Sequence, residues 1–319
     1  MNLIDRIFAE PELRAAPPVL VDVGAAGGVH PAWRRIARHA IGVGFEPDAR
    51  QAAPLGAAQR MFQRWVYCPG LAVPEAQPDG RAQLHLTRSP QCSSTLRPDA
   101  AALGEWAFAD LFDVQETRAF PATTLTAALA AQGLDRLDWL KCDTQGLDLR
   151  LFLSLPPEWR ARMLAVEFEP GLIDVYEGED KFSAVLAAMQ DAPFWLAELE
   201  VGRTPRGRPA LLAEHLGANA ARWVRRLGPD APGWVNARFL RDPAVEGEAL
   251  DRRALLLSWV FATLSKQPAH ALAVADAGAR RFGGGLFGAL TASSARNLRW
   301  AMVRHLPMAA WRRLRRART

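Results

Sequence analysis

The chain has 319 residues, and half of them are apolar, including eleven Trp and fourteen Phe, which can fill a sizeable core. Charged residues make up 23%, close to the usual quarter, so the composition excludes a wholly disordered chain. The formal net charge of +5 conceals an asymmetry, because residues 1–200 carry a net charge of −9 and residues 201–319 carry +14. The two parts of the chain therefore face different electrostatic tasks.

Cysteine spacing and hydropathy exclude several classes of protein. The three cysteines share no short spacing, which argues against both a disulfide framework and a zinc site. Reduced thiols are typical of a cytoplasmic protein. The N-terminus has no apolar segment of the export type. The longest apolar stretch, residues 254–264, is about half as long as a membrane-spanning helix. We therefore expect a cytoplasmic protein without a transmembrane helix.

The first elements predict a parallel sheet. Residues 1–16 predict a short amphipathic helix, which Pro17 and Pro18 end. A buried strand over 19–23 then runs into a glycine-rich turn, followed by a helix over 30–39 and a second strand over 40–45. Two strands joined through a helix within about 30 residues form a βαβ unit, which indicates parallel strands in a doubly wound sheet.

The alternation of strands and helices continues to residue 242. Further strands are predicted over 61–66, 82–87, 137–142, 163–168, 194–201 and 234–240, and helices over 123–132, 147–153 and 182–189. We therefore predict a doubly wound, mostly parallel α/β domain of the Rossmann-like class over residues 17–242. Beyond it, residues 243–319 predict a helical extension with helices over 250–264, 270–281 and 293–304.

The glycine turn is the first candidate binding element. Glycines between a strand and a helix let the backbone pass close to a ligand where a Cβ would collide. A dinucleotide-binding turn has a glycine at its second position to admit a pyrophosphate, and Ala26 stands there instead. A sulfonium cofactor has no pyrophosphate and tolerates this spacing, although a plain tight turn is the alternative. The candidate cofactor residues here are Asp22, Gly24, Ala25, Gly27 and Gly28.

Glu46 and Asp143 are the next candidates. Glu46 ends the second strand about 20 residues after the glycines, followed by Pro47, and a carboxylate there can accept hydrogen bonds from ribose hydroxyls. A solvated acid at a strand end is the alternative. Asp143 ends the strand over 137–142, and ligands of open α/β sheets bind at such strand ends. We therefore expect Asp143 to meet both the cofactor and the acceptor.

Lys141 is unusual because it lies inside an apolar strand, and lysine is almost never buried without a partner. Asp148 or Glu169 could pair with it. A structural ion pair is therefore an alternative to a functional role for this part of the chain.

Several segments together resemble the FkbM family of class I S-adenosylmethionine-dependent methyltransferases. In chain order they are VDVGAAGG, GFEPD, SSTL, TTL followed by DWLKCDTQGLDLRLF, and AVEFEPGLIDVYEGEDKF. The resemblance covers roughly residues 17–200, and its most diagnostic part is the K-x-D-x-Q-G element. It implies a seven-stranded class I fold, S-adenosylmethionine as the cofactor, and methyl transfer to hydroxyl oxygens of sugars or secondary metabolites. The chain departs from the family at Asp148, where Glu is usual, and in its basic extension.

The resemblance also implies which side chains assist the transfer of the methyl group. The methyl group of such a cofactor is already activated, so the protein mainly has to align an acceptor oxygen with it. Removing the hydroxyl proton requires a carboxylate or His within hydrogen-bond reach. Asp143 is the first candidate base, followed by Glu167 and Glu169, with His30 and His85 as lesser alternatives. No metal site is predicted. Residues in family-like segments that are expected to line the acceptor pocket are Ser94, Gln145 and Tyr176.

Two other functions compete with that of an O-methyltransferase acting on a small molecule or a glycan. One is a cofactor-binding but inactive methyltransferase-like module that is recruited through its basic tail. The other is a nucleotide-dependent oxidoreductase, which Ala26 disfavours. The first alternative predicts tight binding of S-adenosylmethionine without transfer to a hydroxyl, and the second predicts retention on immobilised NAD.

The end of the extension predicts contact with a membrane. No acidic residue follows Asp276, whereas ten arginines do, interleaved with Trp300, Val303, Leu306, Trp311 and Leu314. A basic helix with aromatic anchors is typical of a peripheral element on the inner face of a membrane. A solvated helix packed on the acidic domain is the alternative. No specific nucleic-acid partner is expected, because basic charge alone supports only non-specific binding.

Overall fold

A computed structural model of the protein describes residues 2–26, 28–52, 55–243 and 250–316. The chain divides into two compact units. One comprises residues 17–241, and the other combines residues 1–16 with residues 242–319. The N-terminal segment and the C-terminal extension, which the sequence suggests as separate elements, thus belong to the same unit.

Apolar β-branched runs form the short central strands, and two longer strands close the sheet. The strands in the described residues are β1 Val19–Val23, β2 Ile41–Phe45, β3 Arg64–Cys68, β4 Leu71–Ala72, β5 Arg81–Thr87, β6 Val114–Thr123, β7 Trp139–Cys142, β8 Ala165–Phe168, β9 Phe194–Thr204 and β10 Ala231–Arg241.

The helices of the larger unit are mostly short, whereas those of the smaller unit lengthen toward the C-terminus. They are α1 Leu3–Phe8, α2 Pro11–Ala15, α3 Ala49–Ala52, α4 Leu55–Met61, α5 Ala100–Leu103, α6 Leu125–Ala130, α7 Asp148–Leu153, α8 Pro157–Arg162, α9 Phe182–Gln190, α10 Pro209–Leu216, α11 Ala220–Leu227, α12 Arg252–Leu264, α13 Pro268–Phe282 and α14 Gly285–Arg316.

The main sheet has seven strands in the order β3-β2-β1-β7-β8-β10-β9. Strand β10 runs antiparallel to both of its neighbours, and the other adjacent strands are parallel. The prediction of a mostly parallel seven-stranded α/β sheet is thereby confirmed. The strand order reverses between β1 and β7, which is where open α/β sheets bind their ligands. A second sheet, β4-β6-β5, is built from the segment between β3 and β7.

The structure corrects several predicted elements. Residues 30–39 form two short 3-10 helices, Pro31–Arg35 and Ala37–His39, rather than one α-helix. The strand predicted over 61–66 begins only at Arg64, because α4 extends to Met61. The predicted strand 82–87 lies in β5 of the second sheet, where it pairs with β6. Strand β6 itself was not predicted, because most of its residues are exposed and show no alternation of apolar side chains.

One face of the main sheet carries an extended apolar core. Alternate residues of the central strands, such as Val21, Leu140 and Val166, are fully buried on this face. Helices α6, α7 and α9 cover them, with Phe152 of α7 packed edge-on against Phe168 and Phe194. This packing fixes the strand ends from which the candidate site is built.

The smaller unit is held by α12, which is buried on almost all sides. Arg252 at its start forms ion pairs with Glu10 and Glu12 of the N-terminal segment. Gly278 of α13 lets Phe287 of α14 pack closely, because a Cβ there would lie 2.2 Å from its ring. In the described ranges no helix combines the length and apolarity needed to cross a bilayer. The side chains of α14 from residue 304 onward lie outside the described part of the chain, and with them Leu306, Trp311, Leu314 and most of the predicted basic tail.

We predict that Phe152→Ala lowers the free energy of unfolding by about 3–5 kcal/mol, because it leaves a cavity between the sheet and α7. Leu153→Ala is the matched control, because this neighbouring side chain is 44% exposed, and its effect should stay within about 0.5 kcal/mol. Urea unfolding of the two variants measures the difference. Equal losses would show that the ring is not a core residue.

Candidate active site

A cavity of about 490 Å³ opens at the carboxyl ends of β1, β2 and β7. Its lining includes Gly24 after β1, Glu46 after β2, Asp143 after β7 and Glu169 after β8. The cavity therefore lies at the reversal of the strand order, where the sequence places its candidate residues. The same cavity brings together several of the predicted site residues: Gly24, Glu46, Pro47, Asp143, Gln145, Glu169 and Tyr176.

Position 24 requires glycine for two reasons, the conformation of its backbone and its close contact with Asp143. Its φ is +77°, a left-handed conformation that favours glycine. A Cβ at this position would lie 2.1 Å from the carbonyl oxygen of Asp143. The N–H groups of Gly24 and Ala25 both donate to the carbonyl oxygen of Phe45, at 3.0 Å each. Contact between strand ends thus explains this glycine, whereas the sequence suggested room for a ligand.

The rest of the glycine turn contributes less to the cavity. Ala26 lines it, whereas Ala25 is fully buried and does not. Gly28 has a φ of +95° and also lies outside the lining. Gly27, a predicted cofactor residue, lies outside the described residues.

Glu46 presents a buried carboxylate to the cavity. One of its oxygens accepts a hydrogen bond from the Asp48 N–H group at 2.8 Å. The Tyr67 hydroxyl donates to the Glu46 carbonyl oxygen at 2.9 Å and so fixes the backbone. Burial raises the pKa of Glu46 to about 7. Among the described residues no cationic side chain forms an ion pair with Glu46, and its carboxyl group can accept hydrogen bonds from a ligand.

Asp143 is held by a hydrogen-bonded relay. One of its carboxylate oxygens accepts a hydrogen bond from Gln145 Nε2 at 2.8 Å. The Tyr176 hydroxyl lies 3.1 Å from Gln145 Oε1 and 2.8 Å from the Cys92 carbonyl oxygen, so its proton can go to either acceptor. This relay fixes the side-chain amide of Gln145 and, through it, the orientation of the Asp143 carboxylate.

Gln145 has an unusual backbone that the surrounding structure supports. Its φ is +59°, which is uncommon for a residue other than glycine. The Ser94 hydroxyl donates to the Gln145 carbonyl oxygen at 2.7 Å. Ser94 itself is buried and does not line the cavity. It was predicted to contact the acceptor, and the structure instead places it behind the loop that carries Gln145.

Glu169 shares the cavity wall with Asp143. Burial raises the pKa of Glu169 well above its usual range, and the charge of Asp143 and a hydrogen bond to it add to the effect. Two carboxylates in contact cannot both ionise without a large electrostatic cost. Glu169 is therefore protonated at neutral pH.

Asp148 is a structural link. Of the two partners suggested for Lys141, neither Asp148 nor Glu169 forms an ion pair with it among the described residues. The buried Asp148 carboxylate accepts hydrogen bonds from Thr144 N (2.8 Å), Thr144 Oγ1 (2.6 Å) and Glu169 N (2.7 Å). Asp148 thereby ties the loop after β7 to the end of β8.

Lys141 instead belongs to a row of alternating charges that crosses five strands. Its Nζ lies 3.0 Å from Asp22 and 3.9 Å from Asp143. Burial alone would lower the pKa of Lys141, but Asp22 and Asp143 raise it, so the lysine stays charged. We name as the charge row the register partners Asp22, Lys141, Glu167, Arg238 and Glu198.

Two of the predicted site residues belong to the charge row and lie outside the cavity lining. These residues are Asp22 and Glu167. Glu167 accepts hydrogen bonds from Trp139 Nε1 (2.7 Å) and Arg238 Nη2 (3.1 Å) and lies 3.5 Å from His30 Nε2. These contacts satisfy its carboxylate within the sheet face. The structure thus gives Glu167 a structural place, although the sequence made it a candidate base.

The apolar wall of the cavity was not predicted from the sequence. Phe108, Leu111 and Phe112 come from the segment between α5 and β6, and Trp234 comes from β10. Phe108 and Phe112 belong to an aromatic cluster with Val175 and Tyr176. The signal for this wall was the density of large apolar residues over 106–112, which no strand or helix pattern organised.

Comparison with known proteins adds no assignment, because neither a family model nor a curated protein matches the chain. Nowhere in the described part of the chain do three or more His, Cys, Asp or Glu side chains converge as a set of metal ligands.

We predict that Lys141→Met destabilises the protein by about 3–5 kcal/mol, because it leaves the buried Asp22 carboxylate without its partner. The double variant Asp22→Asn with Lys141→Met should recover part of this loss, since the uncompensated charge is gone. Chemical unfolding of wild type, both single variants and the double variant completes the cycle. If the losses of the two single variants simply add, the ion pair contributes nothing.

Proposed function

We propose that residues 17–241 form an S-adenosylmethionine-dependent O-methyltransferase domain of the class I type, related to the FkbM family. The observation that carries this proposal is that three separate motifs of the resemblance meet in one cavity. Gly24, Glu46 and Asp143 belong to these motifs, and all three line the cavity at the reversal of the strand order. The proposed acceptor is a hydroxyl group of a sugar, a glycan or a secondary metabolite.

The cofactor side of the cavity suits a nucleoside with a positive charge. Glu46 can accept hydrogen bonds from two ribose hydroxyls, because the residue lines the cavity and its two carboxylate oxygens have lone pairs beyond the one that accepts from the Asp48 N–H group. Asp143 and the ionised form of Glu46 add negative charge that favours a cationic ligand and opposes the phosphates of a dinucleotide. When bound, S-adenosylmethionine supplies a methyl group that is already activated for transfer.

The acceptor side combines apolar surface with the carboxylate of Asp143. Phe108, Phe112 and Trp234 present rings and edges that suit the apolar face of a sugar or a polyketide-type ring. In the proposed reaction the Asp143 carboxylate would accept the hydroxyl proton of the acceptor. The bound cofactor would supply the methyl group to the acceptor oxygen with cleavage of its carbon–sulfur bond, which leaves a neutral thioether. Gln145 orients that carboxylate, and Glu169 is occupied by its own proton.

A label-transfer screen tests the proposal as a whole. The purified protein, methyl-labelled cofactor and lipid, glycan or small-molecule extracts should give a labelled product whose label resists mild base, as an ether does. Tight binding of the cofactor without transfer to any hydroxyl acceptor would instead favour an inactive binding module. Failure to bind S-adenosylmethionine at all would refute the proposal.

The raised pKa of Glu46 predicts that cofactor binding depends on pH. In the free protein Glu46 is protonated below about pH 7, and the ionised form is the stronger acceptor of ribose hydrogen bonds. Affinity should therefore fall by up to about tenfold for each pH unit below 7, and binding should release a proton there. Calorimetry in buffers of different ionisation enthalpy measures both effects.

Two variants make the pH experiment decisive. Glu46→Gln should bind more weakly at pH 8 and lose the dependence on pH, because its amide does not titrate. Glu75→Gln alters an exposed acid outside the cavity and should behave as wild type. A pH dependence that persists in Glu46→Gln assigns the titration to another group.

Asp143→Asn should lower turnover by about 10²–10⁴-fold, the usual contribution of a general base, with a much smaller effect on cofactor affinity. Single-turnover kinetics on the acceptor found by the screen, with calorimetry beside it, separates the two quantities. Glu167→Gln is the discriminating control, because Glu167 lies in the charge row and should keep most of its turnover. A slow Glu167→Gln beside a normal Asp143→Asn would reverse the assignment.

A further inference from the structure

The segment between β9 and β10 exposes an unusual amount of apolar surface. This segment, residues 205–230, contains α10 and α11, and we call it the β9–β10 insert. Large apolar side chains are usually covered, yet four of them stand out within 17 residues of the insert. They are Leu211 (50% exposed), Leu216 (68%), Trp223 (53%) and Leu227 (79%).

Helix α11 separates this apolar surface from a basic one. Trp223 and Leu227 are one turn apart and therefore share a face of the helix. Arg225 projects from the opposite side, whereas Arg222 and Arg226 border the apolar face, with Arg222 Cζ 5.9 Å from the centroid of the Trp223 ring. Helix α11 is thus strongly amphipathic. The insert carries two acidic residues, Glu214 and Asp230, against five arginines. An exposed apolar face with Trp and Leu beside arginines is typical of a helix that lies in a membrane interface.

The insert is anchored on the acceptor wall of the cavity. The Ala107 N–H donates to the Pro205 carbonyl oxygen at 3.1 Å. Arg208 pairs with Glu105, and Arg225 with Asp110, each at 2.7 Å. These partners flank the segment that supplies Phe108, Leu111 and Phe112 to the cavity.

The other end of the insert leads into the same cavity. Gly233 and Trp234, which follow it in β10, line the cavity. Strands β8 and β9 both pair antiparallel with β10 and therefore run in the same direction. The last residue of β9, Thr204, thus lies at the edge of the sheet where the cavity opens. Both ends of the insert therefore meet the acceptor side of the site.

We propose that the β9–β10 insert docks the larger unit on an anionic lipid bilayer. Trp223 and Leu227 enter the interface, and the exposed Arg222 and Arg226 meet the lipid headgroups. Negative headgroups are favoured because arginines adjoin the apolar face, and each basic residue near such a surface strengthens binding. The acceptor then reaches the cavity from the membrane, a step that rests on the proposed function, whereas the docking itself does not.

Co-sedimentation of the full chain with vesicles tests the docking. Wild type should bind vesicles of phosphatidylcholine mixed with phosphatidylglycerol, bind phosphatidylcholine vesicles far more weakly, and lose affinity as salt is added. Trp223→Ser with Leu227→Ser should abolish binding. Arg222→Gln with Arg226→Gln should weaken it roughly 30-fold, about fivefold for each charge. Leu153→Ser, at an exposed position of α7 outside the insert, should bind as wild type.

The outcomes separate this surface from the C-terminal helix and from the methyltransferase proposal. No binding of wild type at low salt, or equal binding to both vesicle types, overturns the docking. Normal binding of the Trp223→Ser, Leu227→Ser variant, with loss of binding in Trp300→Ser with Val303→Ser of α14, also overturns it. Calorimetry with S-adenosylmethionine runs beside every variant. Vesicle binding without cofactor binding would reject the methyltransferase and leave the docking intact.

Discussion

The contact between the ends of β1 and β7 is the constraint on which the site depends. The Asp143 N–H donates to the Val23 carbonyl oxygen at 3.0 Å, and Gly24 passes so close to the Asp143 carbonyl that no side chain fits. The two loops that leave these strands are thereby held at a fixed separation. The β1 turn is bonded in turn to the end of β2, so that Glu46 is also placed by this contact. A larger residue at 24 would move three walls of the cavity together.

The two faces of the sheet solve different problems. One face is an apolar core that binds the helices, and the other carries the charge row. Alternating signs let each buried ion lie beside an opposite charge, which offsets part of the cost of removing ions from water. Lys141 is shared between this row and the cavity, because it pairs with Asp22 and still lies 3.9 Å from Asp143. The electrostatics of the sheet thus extend to the carboxylate proposed as the base.

The sequence predicted those features that depend on local pattern. Apolar runs located β1, β2, β7 and β8, and strand ends located Glu46 and Asp143 beside the same cavity. The ten-residue strand β6 was missed, because its mostly exposed residues show no apolar alternation to reveal it. The partner of Lys141 was also missed, because strand register brings Asp22 across from it over 119 positions of the chain. Glu167 lies outside the cavity lining and opposite Arg238, which only the strand register shows.

The closing strand pair gives the fold a part whose length can vary. Strands β9 and β10 have 11 residues each, whereas β8 has four and pairs only with residues 237–240. The pair therefore continues past the end of β8 before the chain enters α10. Adding two residues to each strand would lengthen it by about 7 Å and keep every side chain on its own face. The length of the strand pair that carries the insert can therefore change in evolution without a change in the loops that hold Glu46 and Asp143.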